Sequence, residues 1–175
     1  HYICNHSDET GRYAYDQQPG IGYWNCSRLL QATLPLLDSE PQKAVEKAEA
    51  ILERYPAVFV PENLRLWRAK LGLRDAGDGD PELINTLFLV MQRSEVDFTR
   101  VFRALADPAA ARDEVLDLEG YDRWLADYRA RLAQEQSDDA GRAARMNRVN
   151  PKYVLRNHLA QAAIERAQPG GFRRG

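Results

Sequence analysis

Asp80-Pro81-Glu82-Leu83-Ile84-Asn85-Thr86-Leu87-Phe88-Leu89-Val90-Met91 is the stretch that decides the fold class. Asp80 offers an N-cap oxygen, Pro81 a preset φ, and Glu82 a carboxylate at the positive end of a helix dipole. Behind that start signal, Leu83, Ile84, Leu87, Phe88 and Met91 recur at the spacing of one helical face, not at the alternation of a strand. The same period reappears outward in both directions. Downstream, Tyr121, Trp124, Leu125, Tyr128 and Leu132 define a clean amphipathic helix. Upstream, Leu64, Trp67 and Leu71 run into Gly72, a residue suited to the left-handed conformation at a helix end. Before them, Pro41 opens a helix carrying Ala44, Val45, Ala48, Ile51 and Leu52, which Pro56 is expected to close.

The remaining segments fit the same class. Asp97 reads as the cap of a short helix with Phe98, Val101, Phe102 and Leu105, and residues 107–119 as a loop or helical turn. Asn150-Pro151 repeats the cap-plus-proline signal ahead of Val154, Leu155, Leu159, Ala162 and Ala163. From Ile21, Trp24, Arg28 and Gln31 share one helical face, with Ile21, Leu29, Ala32 and Leu36 on the other, until Pro35 ends or kinks the helix. Residues 1–20 show no sustained period and carry Gly11, Pro19 and Gly20, so they read as a loop. Val58-Phe59-Val60 is the sole strand candidate, and Pro61 follows at once. The expectation is an all-α fold of about seven helices, with no sheet beyond a short pair. No repeat period is visible, which argues against a solenoid.

At 175 residues the chain suits one domain. An apolar share of 44% is ordinary for a globular protein, and a formal charge of −2 argues against a bulk polyelectrolyte. The longest aliphatic and aromatic run, Leu87 to Met91, falls far short of the ~20 residues of a membrane span. No basic-then-apolar segment reads as a signal peptide. Two cysteines do not make a disulfide framework. Cys26 lies in an apolar helical pattern and reads as buried, whereas Cys4, in a polar stretch, is the candidate reactive thiol.

Three constellations invite chemistry. Cys4, His6 and Asp8 alternate in the manner of metal ligands, but a closed zinc site needs four ligands and no Cys/His pair follows at motif spacing. The alternative is a loop whose Asn5, Ser7 and Asp8 side chains bond neighbouring amides. Arg142, Arg145 and Arg148, with Lys152 and Arg156, recur as a basic helical stripe. Nucleic-acid binding has weak support, because only Tyr153 supplies an aromatic nearby; a solvated or ion-paired face is the simpler reading. Residues 107–139 hold ten acids against four arginines, and residues 141–175 eight bases against Glu165 alone, so mutual packing or a mixed surface is expected. Trp24, Trp67 and Trp124 all sit among aliphatics at helical spacing and read as core anchors.

The order of residues in four blocks goes beyond periodicity. They are Ile3-Cys4-Asn5-His6-Ser7-Asp8 through Gly11-Arg12-Tyr13-Ala14-Tyr15 to Trp24-Asn25 and Arg28-Leu29; Arg68-Ala69-Lys70-Leu71-Gly72-Leu73; Asp97-Phe98-Thr99-Arg100 with Phe102-Arg103; and Asn150-Pro151-Lys152-Tyr153-Val154-Leu155-Arg156-Asn157. Together they resemble the selenoprotein O (SelO) family, protein-kinase-like proteins that move AMP from ATP onto Ser, Thr or Tyr hydroxyls. The first block resembles the segment just downstream of that family's metal-binding Asp-Tyr-Gly motif.

The resemblance implies a C-terminal part: residues 1–20 as an activation-segment-like loop, and residues 21–175 as a helical C-lobe with a helical extension. The family's Gly-rich loop, phosphate-binding Lys with its Glu partner, catalytic Asp, metal-binding Asn and Asp-Tyr-Gly would all lie before His1. On this reading the chain contains no catalytic, cofactor-binding or metal residue of its own, and ATP with Mg or Mn belongs to the full-length parent. His6, Asp8, Gly11, Arg12 and Tyr13 would form the substrate platform or brace its loop. The implied partners are the N-terminal catalytic half and the parent's protein substrates, with no membrane and a cytoplasmic or mitochondrial setting. In parts of the family the cysteine of the first block pairs with one near the C-terminus, whereas this chain ends Phe172-Arg173-Arg174-Gly175. AMP and UMP stay open as the transferred group. The rival expectation is a helical protein-interaction module without catalysis.

Overall fold

The computed structural model describes residues 7–167. Among these the chain forms nine α-helices and one 3-10 turn, and no strand. It divides into two compact units, one up to Asn63 and one from Leu64.

In the first unit the 3-10 turn Tyr15–Gln17 leads into α1, Gln18–Leu37. The helix starts ahead of its apolar pattern because Pro19 sits in its first turn, where a missing amide hydrogen costs nothing. Pro35 does not end it; the helix carries this proline within its last turn. The exit is secured from α2, Pro41–Leu52, where the Lys47 ammonium binds the Leu37 carbonyl at 3.1 Å and Asp38 at 2.7 Å. A cation is favoured at that negative helix end. Ala44 and Ala48 form the buried face of α2, their small side chains allowing close approach of α1. The helix ends at Leu52, before Pro56. That proline instead lies in the first turn of α3, Arg54–Leu71. The strand candidate Val58-Phe59-Val60 is therefore helical, and Phe59 stacks on Tyr55 one turn earlier, ring centroids 5.5 Å apart.

The second unit holds the core. Leu71 is buried, and Gly72 ends α3 at φ 73°, with the Leu73 amide donating back to the Arg68 carbonyl. α4, Asp80–Arg93, buries Leu83, Ile84, Leu87, Val90 and Met91. α5, Phe98–Ala104, and α6, Pro108–Arg112, are capped by Asp97 and Asp107 through the amides of Arg100 and Ala109. Against α4 packs α7, Leu118–Gln134, whose Trp124 is fully buried, donates Nε1–H to the Leu83 carbonyl at 2.9 Å, and stacks on Tyr128. Then follow α8, Asp139–Val149, and α9, Asn157–Ala167.

Two start signals are corrected. Asp80 does not cap α4; its carboxylate is wholly buried, accepts from the Gly77 amide at 2.8 Å, and pairs with Arg131 Nε at 2.7 Å. Arg131 also meets Glu135 at 2.9 Å, and Glu135 accepts the amides of Arg74 and Asp75. This clamp ties α7 to the 74–80 loop. Asn150-Pro151 does not start a helix either, since α8 ends there and α9 begins only at Asn157. Asn150 is buried and donates to the Lys70 carbonyl.

Candidate functional site

Asp8, Gly11, Arg12 and Tyr13 lie in one pinned turn ahead of α1; Cys4 and His6 fall outside the described residues. Asp8 is nine-tenths buried, and its carboxylate accepts the amides of Arg12 at 2.9 Å and Tyr13 at 2.8 Å. Gly11 is buried at φ 72°, a left-handed conformation that a side chain would strain. Its amide donates to the Asp8 carbonyl and its carbonyl accepts from Ala14, which is fully buried. From α1, Gln18 Nε2 donates to the carbonyls of Tyr13 and Ala14. Asp8 and Gly11 thus hold the turn in shape. Arg12 and Tyr13 carry their side chains outward.

Outside this turn the structure gathers residues that the sequence did not link. The Arg12 guanidinium lies 4.5 Å from the centroid of the Trp24 ring and 5.6 Å from that of Tyr13. Arg28, one turn along α1, lies 5.5 Å from the same indole. Trp24 is 42% exposed, so it is not the core anchor expected of it. Cys26 on the same helix is half-buried. Spacing on α1 puts Trp24 beside Arg28, but nothing in the sequence brings Arg12 across the turn to them.

In the second unit the three later blocks converge. Lys70 sits over the rings of Phe98 and Phe102, at 5.7 and 5.5 Å, and its ammonium meets Asn150 Oδ1 at 3.4 Å. Burial pushes that ammonium below the usual lysine range. Arg103 donates to the carbonyls of Asn147 and Asn150, and Arg156 pairs with Asp97 at 2.8 Å. Desolvation pushes the Asp97 carboxyl up, yet Arg156 and the Arg100 amide together hold it below its ordinary value. The basic stripe does not exist as one face. Arg142 is buried and donates to the Leu105 carbonyl and Tyr128, and Arg145 to the Gly72 carbonyl and Ser137.

A family model described as protein adenylyltransferase SelO matches residues 1–170. The chain belongs to the SelO family. Protein nucleotidyltransferase YdiU of Methylococcus capsulatus is 49% identical to it, over 98% of this chain and 36% of the relative. The proteins of that name from Burkholderia pseudomallei and Burkholderia mallei are each 50% identical, with the same shares covered. The chain therefore spans about a third of the length of the curated relatives it matches.

SelO nucleotidyl transfer implies a nucleotide with a divalent metal, and the described residues do not fit that pair. Among them no three His, Cys, Asp or Glu side chains gather as a metal site. The buried carboxylates among the described residues are already engaged: Asp8 with two amides, Asp80 with Arg131, Glu135 with Arg131 and the 74–75 amides. No described helix is long and apolar enough to cross a membrane.

Proposed function

We propose that this chain is the helical C-terminal part of a SelO protein adenylyltransferase, and that it carries the segment facing the protein substrate while the nucleotide and its Mg or Mn are held elsewhere in the parent. The parent moves AMP from ATP onto Ser, Thr or Tyr hydroxyls. One observation carries the reading: nearly the whole chain matches nucleotidyltransferases, yet it fills only 36% of their length. The pinned turn at Asp8–Ala14 supports a platform role, because its polar groups fix the backbone and leave Arg12 and Tyr13 outward. The turn ahead of α1 then acts as the loop following the nucleotide site, and the helices from α1 onward as its support.

Among the described residues no cluster of side chains could hold the divalent metal that AMP transfer uses. Losing one preorganised charge-stabilising group costs ~10²–10³ in rate, and losing the set leaves no measurable transfer. The test uses labelled ATP with magnesium or manganese. The chain alone should label neither itself nor added proteins, whereas a chimera carrying it in place of the matching segment of a curated relative should transfer AMP. Transfer by the chain alone, or a folded but silent chimera, would overturn the proposal.

A further inference from the structure

We propose that Arg12, Trp24 and Arg28 form a docking patch for an acidic, carboxylate-bearing protein segment, a surface that selects which substrates the platform receives. Two guanidinium groups contact one exposed indole, and among the described residues neither is ion-paired; the side-chain hydrogen bond of Arg28 goes to the neutral hydroxyl of Ser27. Several arginines elsewhere are satisfied by acids. Arg74, Arg93, Arg100, Arg112, Arg131 and Arg156 each meet a carboxylate within ion-pair distance. Two like charges on one ring repel unless an anion joins them, and both guanidinium groups are exposed with N–H donors to spare for one.

The patch is also preorganised. Asp8 and Gly11 lock the backbone at Arg12, and α1 sets Trp24 and Arg28 one turn apart. Planar guanidinium groups match carboxylates in forked geometry, so the complementary ligand is a run of Asp or Glu side chains. A single indole is a poor stacking platform for successive bases, which disfavours a single-stranded nucleic acid.

The inference rests on reading the Asp8–Ala14 turn as substrate-facing, but its test does not involve catalysis. Fluorescence anisotropy of a labelled polyglutamate peptide with the whole chain should show binding that a polyglutamine peptide lacks. Combining Arg12→Gln with Arg28→Gln should weaken it about tenfold, the sum of two exposed charge contacts. The charge-matched control Arg93→Gln with Arg123→Gln, at surface ion pairs elsewhere, should leave it unchanged. All four side chains are exposed, so circular dichroism melts should match. Equal weakening by both variant pairs, no effect of the first pair, or tighter Arg12-dependent binding of an oligothymidylate would overturn the proposal. So would concentration-dependent self-association abolished by the first pair, which would make the occupant a second copy. An active chimera that binds no polyglutamate would sink this inference and leave the catalytic reading standing.

Discussion

Trp24 and Trp124 occupy similar places in the sequence, each in mid-helix among aliphatics, and they meet opposite fates. Trp124 has no exposed surface, a hydrogen bond to Leu83 and a stacked Tyr128. Trp24 stands 42% exposed under two arginines. The contrast extends to their units. Among the described residues up to Asn63, the buried apolar ones are Ala14, Ala44 and Ala48, while Leu29, Leu36, Val58 and Val60 are more than half exposed. From Leu64 on, one continuous core runs from Leu71 to Met146. A helical period fixes which side chains share a face, but a face becomes a core only where a second face of matching shape covers it.

The sharpest way to break this comparison is to truncate both indoles. Trp124→Ala should cost about 3–5 kcal/mol in urea unfolding of the chain, and Trp24→Ala less than about 1 kcal/mol. Equal losses would refute the idea that only the second unit is cored.

Ion pairs should divide the same way. Asp80→Ala leaves Arg131 buried beside a vacated partner, a change expected to cost about 3–5 kcal/mol. Asp38→Ala removes an exposed pair with Lys47 and should leave the unfolding midpoint almost unmoved. A midpoint insensitive to Asp80→Ala would remove the clamp from the account.

Glycine substitutions should differ in sign. Gly72 has φ 73°, and a Cβ there would meet Arg142 Cγ at 2.7 Å and Met146 Cγ at 2.8 Å. Gly72→Ala should destabilise by about 1–3 kcal/mol. Gly20, inside α1 with nothing near its missing Cβ, should gain up to about 1 kcal/mol as alanine. Thermal melts of the two variants moving in the same direction would contradict this.

The smallest effect concerns pH. The folded Asp97 carboxyl lies below its unfolded value, near 3.9, so its contribution is present above that pH and is lost as pH falls through the folded value. Asp97→Asn keeps an N-cap oxygen for Arg100 but loses the charge facing Arg156. The variant should show a shallower loss of stability on acidification below about pH 4 than the parent chain. Parallel acid curves would exclude the Asp97–Arg156 pair as a contributor.

Much of this fold was legible beforehand. The all-helical class, the stripes of α4 and α7, the cap at Asp97 and the stop at Gly72 all follow from spacing and local backbone chemistry. Proline was the weak guide: Pro35, Pro56 and Pro61 look like breaks, yet each lies within a helix. A proline in a first turn, as Pro56 is, loses nothing, whereas Pro35 and Pro61 lie deeper in their helices on exposed faces and nothing in the structure explains their tolerance. Asp80 and Asn150 misled for another reason. Both carry the side chain of a cap, but burial beside Arg131 and Lys70 gave each a partner dozens of residues away. The pinned turn at Asp8 was foreseeable as a loop whose side chain bonds its own backbone. The Arg12–Trp24–Arg28 grouping was not, because it depends on where that turn delivers Arg12.

The Asn150 bond to the Lys70 carbonyl joins residues 80 positions apart. That separation matters during synthesis. The C-terminal end of α3 leaves the ribosome long before the residue that completes its hydrogen bonding, and closure of so long a loop is slow compared with forming the helices themselves. While it waits, the Gly72 turn also lacks the side chains of Arg142 and Met146 that pack against it. Nascent chains halted before α8 should therefore hold formed helices around an open centre, vulnerable to protease, and acquire resistance in one step once Asn150 has emerged.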